Sequence, residues 1–153
     1  MIEANVVLTR PFSNLRQFVG RTGGGHQLLI DDQEGASGPK PIELVAAGLA
    51  GCTAFDVISI LRMKRMYVTD YEVWLEADQA LQPPAVFERV RLHHVVTGVE
   101  VERKAVEDAI RLSEEKYCSV GAMIRNTAKF ETTFEIREVG VEEDSMVAHG
   151  AVE

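Results

Sequence analysis

The chain has little cysteine, few aromatic side chains and no excess of positive charge. Its 153 residues include two cysteines, 7% aromatic residues and a formal net charge of −8. The acidic balance argues against nucleic acid or an anionic membrane as a partner. The start, MIEANVVLTRPF, lacks the basic residues and long apolar run of a signal peptide, so a cytoplasmic location is expected. Two cysteines there are expected to be free, catalytic or redox-active rather than bridged for structure.

One apolar stretch at 38–65, GPKPIELVAAGLAGCTAFDVISILRMKR, predicts a long helix. Pro41 suits the first helical position, and Glu43 falls in the first turn, where a carboxylate meets the positive helix end. Gly48 and Gly51 each cost about 1 kcal/mol relative to alanine, which predicts another backbone close to that side. A helix that is apolar on most of its circumference must be buried on most of it, and we expect a second chain to help cover it.

The same stretch is not expected to span a membrane. Its apolar run is broken by the glycines and by Thr53, it contains Asp56, and a segment typical of strands precedes it. The glycine run at 23–25 lacks the helix and lysine of a phosphate-binding loop, so no nucleotide is expected either.

The remaining segments alternate in the manner of an α+β domain. Residues 21–25 are interpreted as a turn, and the residues around Pro83 and Pro84 as a hairpin turn. Strands are expected at 3–9, 17–20, 26–31, 71–78, 86–97 and 130–137, with helices at 102–116 and 120–125. The order βββ-α-ββ-α-β predicts one domain over 1–138, and 139–153 is expected to be a flexible acidic tail.

Cys52 and Cys118 are the candidates for chemistry. Either one alone is most often a small buried hydrophobic residue. Being 66 positions apart, they act as attacking and resolving thiols only if the fold brings their Cα atoms within about 7 Å. A thiolate that attacks a peroxide becomes a sulfenic acid, and a second thiol condenses with it to a disulfide. Cys118 is expected near the start of a short helix, which favours thiolate.

Two further interpretations of the cysteines concern ligands. Zinc bound by both cysteines and a histidine is an alternative, but the spacing matches no standard zinc motif, and no metal is expected. His93 and His94 are expected on opposite faces of one strand, so they cannot share one metal. Apolar side chains near the thiols would favour alkyl hydroperoxides over hydrogen peroxide as substrates. The candidates for such a lining are Leu49, Phe55, Met123 and Ile124.

Four short motifs resemble one known family. They are Gly25-His26-Gln27, the run PIELVAAG at 41–48, GCTA at 51–54 and EKYCSV at 115–120. From about residue 3 to 137 the chain resembles the OsmC/Ohr proteins, the osmotically inducible and organic-hydroperoxide-resistance group, and in particular its YhfA-like branch. The resemblance implies an intertwined homodimer in which sheets from both chains wrap two central helices.

The resemblance also implies residue roles. Cys52 matches the cysteine that attacks peroxide and Cys118 the resolving one. In the family an arginine contacts the thiolate, and a glutamate contacts that arginine. Arg21 resembles the arginine best, and Arg10 and Arg16 remain alternatives. That glutamate stands where this chain has Ile42, so Glu43 is the displaced candidate. Nine helical residues, about 13.5 Å, separate Glu43 from Cys52, so Glu43 can reach only the Cys52 of another chain.

The expected function is therefore a thiol-dependent peroxidase that reduces organic hydroperoxides, needs no cofactor and is reset by an external dithiol, which the resemblance allows to be a lipoyl protein. The alternative is a non-enzymatic stress protein on the same dimeric scaffold, which binds an apolar small molecule or a thiol compound.

Overall fold

The N-terminal third forms a small antiparallel sheet. The computed structural model describes residues 1–9, 14–32 and 36–140. The sheet has the order β1-β2-β3, with β1 at Ala4–Leu8, β2 at Phe18–Thr22 and β3 at Gln27–Ile30. All three strands were predicted. Arg21 was expected in the turn but lies in β2 opposite Gln27, because Gly23–Gly25 suffice for the reversal and Gly25 takes the positive φ of 83°.

The long helix α1 follows at Pro41–Met63. Pro41 begins it, as predicted, after the extended residue Lys40. The Glu43 carboxylate accepts a hydrogen bond from the Lys40 backbone N–H at 2.8 Å, which satisfies one donor before the first turn. The helix ends before Arg65, which was predicted inside it, because Arg65 takes a φ of 60° and turns the chain into the next strand.

A second sheet carries the rest of the fold. It has the order β4-β5-β6, with β4 at Tyr67–Gln79, β5 at Phe87–Val99 and β6 at Lys129–Glu138. The β4–β5 hairpin is antiparallel, as predicted, whereas β6 pairs with β5 in parallel. A parallel pair needs a crossover, which here contains α2 (Arg103–Leu112), a π-helical turn (Ser113–Tyr117) and α3 (Ser119–Ile124). The α-helix predicted at 102–116 is therefore shorter than expected: it stops at Leu112, and a π-helical turn follows.

The core lies between one face of this second sheet and the helices. Val57 and Leu61 of α1 pack with Val96 of β5 and Val106 of α2, and all four are fully buried. A second cluster, which includes Leu49 and Cys118, fills the other end. Among the described residues, the N-terminal sheet contributes to neither cluster, and every residue of β1 is exposed.

The expectation that α1 is buried on most of its circumference is wrong for a single chain. Its buried side chains form one face: Leu49, Thr53, Val57, Ile60 and Leu61. On other sides Phe55 is 78% and Met63 74% exposed. A Cβ on Gly48 or Gly51 would meet nothing within 4 Å, so the predicted close approach of another backbone is not made by the described part of this chain.

The membrane and tail predictions have different outcomes. By length and composition alone α1 could cross a membrane, a test that the core helix of a soluble protein also passes. Apart from Val139 and Gly140, the predicted tail lies outside the described residues. The Val139 backbone N–H donates to the Gly98 carbonyl at 2.9 Å, so the chain still follows the sheet there.

Gly98 in β5 is predicted to tolerate no larger residue without loss of stability. A Cβ there would lie 2.2 Å from the Tyr67 carbonyl oxygen and 2.7 Å from Val101 Cγ2. Gly98→Ala should lower the free energy of unfolding by about 3 kcal/mol, because the β4–β5 backbones must separate. Gly140→Ala, which meets nothing within 4 Å, is the control. Equal urea midpoints for the two variants would contradict this expectation.

Candidate functional site

The fold brings the two cysteines together. Cys52 lies in the middle of α1, and Cys118 is the residue that caps the start of α3. Their sulfurs and a carboxylate oxygen of Asp56 all lie within 4.8 Å of one another, and both thiols are free. The two cysteines that the sequence analysis singled out therefore lie close together, while their roles in catalysis stay predictions.

The contact between α3 and α1 creates this arrangement. Leu49, one turn before Cys52, belongs to the same buried cluster as Cys118. The Gly121 backbone N–H donates to Cys118 Sγ at 3.3 Å. A Cβ on Gly121 would lie 3.1 Å from that sulfur and 3.6 Å from Leu49 Cδ1, so glycine lets the α3 backbone sit against the thiol.

The two sulfurs differ in exposure, and burial shifts the pKa of the Cys118 thiol. Cys118 is only 6% exposed, whereas Cys52 is half-buried. Burial raises the pKa of the Cys118 thiol to about 11, its hydrogen bond with Cys52 acts in the same direction, and the Gly121 N–H opposes both. The helix start was expected to favour thiolate at Cys118, and this is wrong because desolvation outweighs the single N–H. Cys118 is protonated at neutral pH.

Asp56 is the member of the site that the sequence analysis did not assign. It lies one helical turn after Cys52, on the same face of α1. Ser113 Oγ donates to Asp56 Oδ2 at 2.9 Å and lies 3.1 Å from Thr53 Oγ1. A hydroxyl has one hydrogen, so Thr53 donates to Ser113 and Ser113 to Asp56. The four-residue spacing was visible in the sequence, but the buried Ser113 of the π-helical turn was not identifiable as a partner.

Partly buried Tyr71 and fully buried His94 form a pair near this carboxylate. Tyr71 Oη is 2.6 Å from His94 Nδ1, and the two rings are stacked. Burial, together with the charge of Asp56, raises the pKa of Tyr71. Burial lowers the pKa of His94 to about 4, and its Nε2 has no hydrogen-bond partner among the described residues. His93 lies on the opposite face of β5, as predicted, 2.8 Å from Thr133 Oγ1.

A histidine was expected to complete any zinc site, and the structure gives a different third ligand. Within the described part of the chain, the metal-capable group is Cys52, Asp56 and Cys118. Both histidines of β5 have other neighbours, because the strand turns one into the core and the other to the surface. The three donors present are two sulfurs and one carboxylate.

The charged residues implied by the resemblance lie elsewhere in a single chain. Arg21 is exposed in β2, and Arg16 Nε is 2.8 Å from Asp32 Oδ2. Arg10 lies outside the described residues. Glu43 is engaged with Lys40 at the start of α1. Over 1–9, 14–32 and 36–140, no hydrogen bond or ion pair joins these side chains to either thiol, so their predicted roles stay predictions.

The expected apolar lining is half right. Leu49 is buried beside Cys118, and Ile124 packs against the same cluster. Phe55 and Met123 are 78% and 70% exposed, because they point away from the core on α1 and α3. Phe55 instead lines a groove of about 320 Å³ between α1 and β4.

Comparison with known proteins places the chain in a family. A family model described as "OsmC-like protein" matches residues 33–133. Protein YhfA of Escherichia coli K12 is 39% identical over 119 residues, which cover 78% of this chain and 89% of YhfA. The chain belongs to the OsmC-like family, which confirms the resemblance seen in its motifs.

Solved structures agree on the α+β fold. A hypothetical protein from Aquifex aeolicus superposes with a TM-score of 0.81 at 28% identity, over 92% of this chain and 98% of that one. An organic hydroperoxide resistance protein OsmC from Legionella pneumophila gives a TM-score of 0.63 at 20% identity, over 88% and 96%. At that identity the second likeness concerns the fold alone.

Burial of neutral His94 predicts a pH dependence of stability. Its folded-state pKa of about 4 lies below the ordinary 6.5, so the unfolded chain binds the extra proton first. The contribution of neutral His94 to the free energy of unfolding is therefore fully present above pH 6.5. It is lost as the pH falls toward 4, by up to about 3 kcal/mol. Urea unfolding between pH 7 and 4.5 measures this loss. That pH window avoids the titration of Asp31, because a hydrogen bond from Ser37 lowers the pKa of Asp31 to about 2.

His94→Gln is the matched variant, because it keeps a polar group beside Tyr71 but does not titrate. It should flatten the loss of stability between pH 6.5 and 4.5, whatever its stability at pH 7. An unchanged slope would assign the pH dependence to other groups.

Proposed function

We propose that the protein is a thiol-dependent peroxidase that reduces organic hydroperoxides in oxidative stress defence. The carrying observation is the pair of free thiols, with their sulfurs within 4.8 Å, one half-buried and one buried against apolar side chains. Membership of the OsmC-like family, which includes proteins named for organic hydroperoxide resistance, supports the same chemistry.

The two sulfurs suit different steps. In the proposed cycle the Cys52 thiolate attacks the terminal oxygen of the hydroperoxide, the O–O bond breaks, and the alkoxide takes a proton to leave as an alcohol. Cys118 then attacks the sulfenic sulfur, gives up its proton and expels hydroxide, which together form water. The greater exposure of Cys52 favours it as the attacking residue. The burial and protonation of Cys118 favour the resolving role.

A homodimer is part of the proposal. The N-terminal sheet stands outside both core clusters, and its apolar residues Val6 and Val7 are 58% and 51% exposed. The open face of α1, defined by Val45, Gly48 and Phe55, has no cover within the described chain. A second copy that covers these surfaces is also the route by which Arg21 or Glu43 reaches Cys52, since neither does so within one chain.

We place the enzyme in the cytoplasm, where an external dithiol keeps the pair reduced. No metal, flavin or haem takes part in the proposed cycle. A protein dithiol, such as a reduced lipoyl group, is the proposed reductant.

A non-enzymatic binding role is the second candidate. The observation in its favour is that no cation contacts the thiols within the described residues, although an attacking thiolate benefits from one. A groove of about 470 Å³, lined largely by apolar atoms of Phe18, Ile30 and Ile42, offers space for an apolar molecule. Such a protein would leave peroxide at its background rate and would carry a copurifying ligand in native mass spectrometry.

Thiol titration after one equivalent of an alkyl hydroperoxide tests the proposal. The reduced protein should lose both thiols and gain an intramolecular Cys52–Cys118 disulfide. Cys118→Ser should stop at a sulfenic acid that a dimedone-type reagent traps, and Cys52→Ser should consume peroxide at background. Because the chain has only two cysteines, each variant leaves one thiol to count. If both thiols remain reduced in excess peroxide, the peroxidase proposal is wrong and the binding role is favoured.

Gly48→Ala tests the dimer separately. In an isolated chain the added methyl meets nothing within 4 Å and should stabilise α1 by about 1 kcal/mol. If the open face of α1 packs against a second copy, the same methyl should instead weaken the dimer by roughly tenfold or more, about 1.4 kcal/mol. Sedimentation velocity of the variant and of Gly140→Ala measures this. A more stable variant with unchanged mass would contradict the proposed interface.

A further inference from the structure

We infer that the thiol pair and Asp56 form a binding site for a thiophilic divalent cation of the Zn²⁺ type. Cys52, Cys118 and Asp56 offer two sulfurs and one oxygen, all within 4.8 Å of one another. Zinc lies about 2.3 Å from sulfur and about 2.0 Å from a carboxylate oxygen, which spaces tetrahedral ligands by roughly 3.5–4 Å. The three donors therefore need to move together by at most about 1.3 Å to bind one ion.

The backbone presents all three donors to the same point. Cys52 and Asp56 share a face of α1 because they are four residues apart. Cys118 approaches from the start of α3, where the Gly121 N–H orients its sulfur. Two ligands from a rigid helix and a third from a packed crossover give a site that exists before the ion arrives.

The carboxylate is oriented as a metal ligand needs to be. Ser113 Oγ donates to Asp56 Oδ2, which leaves other lone pairs of the carboxylate for an ion, and Ser113 is itself fully buried and supported by Thr53. Hydrogen-bonded supports of this kind fix ligands and typically change metal affinity about 10–100-fold when removed. Within the described chain Asp56 has no ion-pair partner, so its charge is available to a cation.

The donor set also selects the class of ion. Thiolate sulfur favours Zn²⁺ and other soft ions over Mg²⁺ or Ca²⁺, which prefer sets of oxygen ligands. Three protein ligands leave a fourth position for a water molecule. Binding displaces the Cys118 proton, so affinity should increase with pH.

Occupation by the metal and attack on peroxide use the same sulfurs. If the proposed peroxidase is correct, Zn²⁺ therefore blocks it reversibly and shields both thiols from oxidation, and a chelator restores activity. The metal site itself does not depend on that activity, because it requires only the reduced thiols and Asp56.

The test uses the full chain, fully reduced and free of oxygen and peroxide, titrated with Zn²⁺ against a chromophoric zinc indicator. One ion per chain is expected. Cys52→Ser and Cys118→Ser should each weaken binding at least about 100-fold, Asp56→Asn about tenfold or more, and Ser113→Ala by a smaller factor. Glu88→Gln, which removes an exposed acid on β5, should leave the affinity unchanged.

A wild-type measurement covers the case in which a variant does not fold. Co²⁺ added to the reduced protein should give the ultraviolet charge-transfer band of cobalt–thiolate bonds, and Zn²⁺ should abolish that band and slow alkylation of both thiols. Absence of the band, or equal Zn²⁺ affinity in wild type and in folded cysteine and Asp56 variants, would overturn the site.

Failure of this inference and failure of the peroxidase are separable. Peroxide titration of the metal-free protein reports on the disulfide alone, whereas the zinc titration involves no peroxide. A protein that binds Zn²⁺ at these residues but leaves peroxide untouched would keep the metal site and lose the enzyme.

Discussion

The packing of the β5–β6 crossover onto α1 is the contact on which the rest of the site depends. It buries Cys118 beside Leu49, and it sets Ser113 against Asp56 and Thr53. Removing Cys118 from water raises its pKa and leaves its proton in place. One packing event thus fixes both the distance between the sulfurs and the difference in their chemistry.

The same helix has a second side that the single chain leaves open. Its buried face carries the core and the site, whereas Phe55 and Met63 are exposed and Gly48 meets empty space. The N-terminal sheet likewise stands apart from the core. The proposed second copy of the chain would cover these open apolar surfaces. In that dimer Gly48 and Gly51 would allow a second backbone to approach α1 closely.

Much of the fold follows from local patterns. The six strands, the long helix and the start of α3 at Cys118 were predicted. The signals for them are local: apolar and polar residues alternate along the strands, Pro41 marks the start of a helix, and glycines mark a turn. The errors arise where distant residues compete with local preference. The α2 helix gives way to a π-helical turn at Ser113, where the side chain enters the Asp56 network. Parallel pairing of β6 with β5 depends on a crossover whose path no local pattern specifies.

The sequence by itself identified the two cysteines as the candidates for thiol chemistry, since the chain contains no other cysteine. It also determined the helix that holds Cys52 and the strand alternation that buries His94. Only the tertiary structure decided that Asp56, not a histidine, is the third group beside the sulfurs. Only it decided that burial raises the pKa of the Cys118 thiol. The physical reason is that desolvation and distance between segments arise from packing, which spacing along the chain does not record.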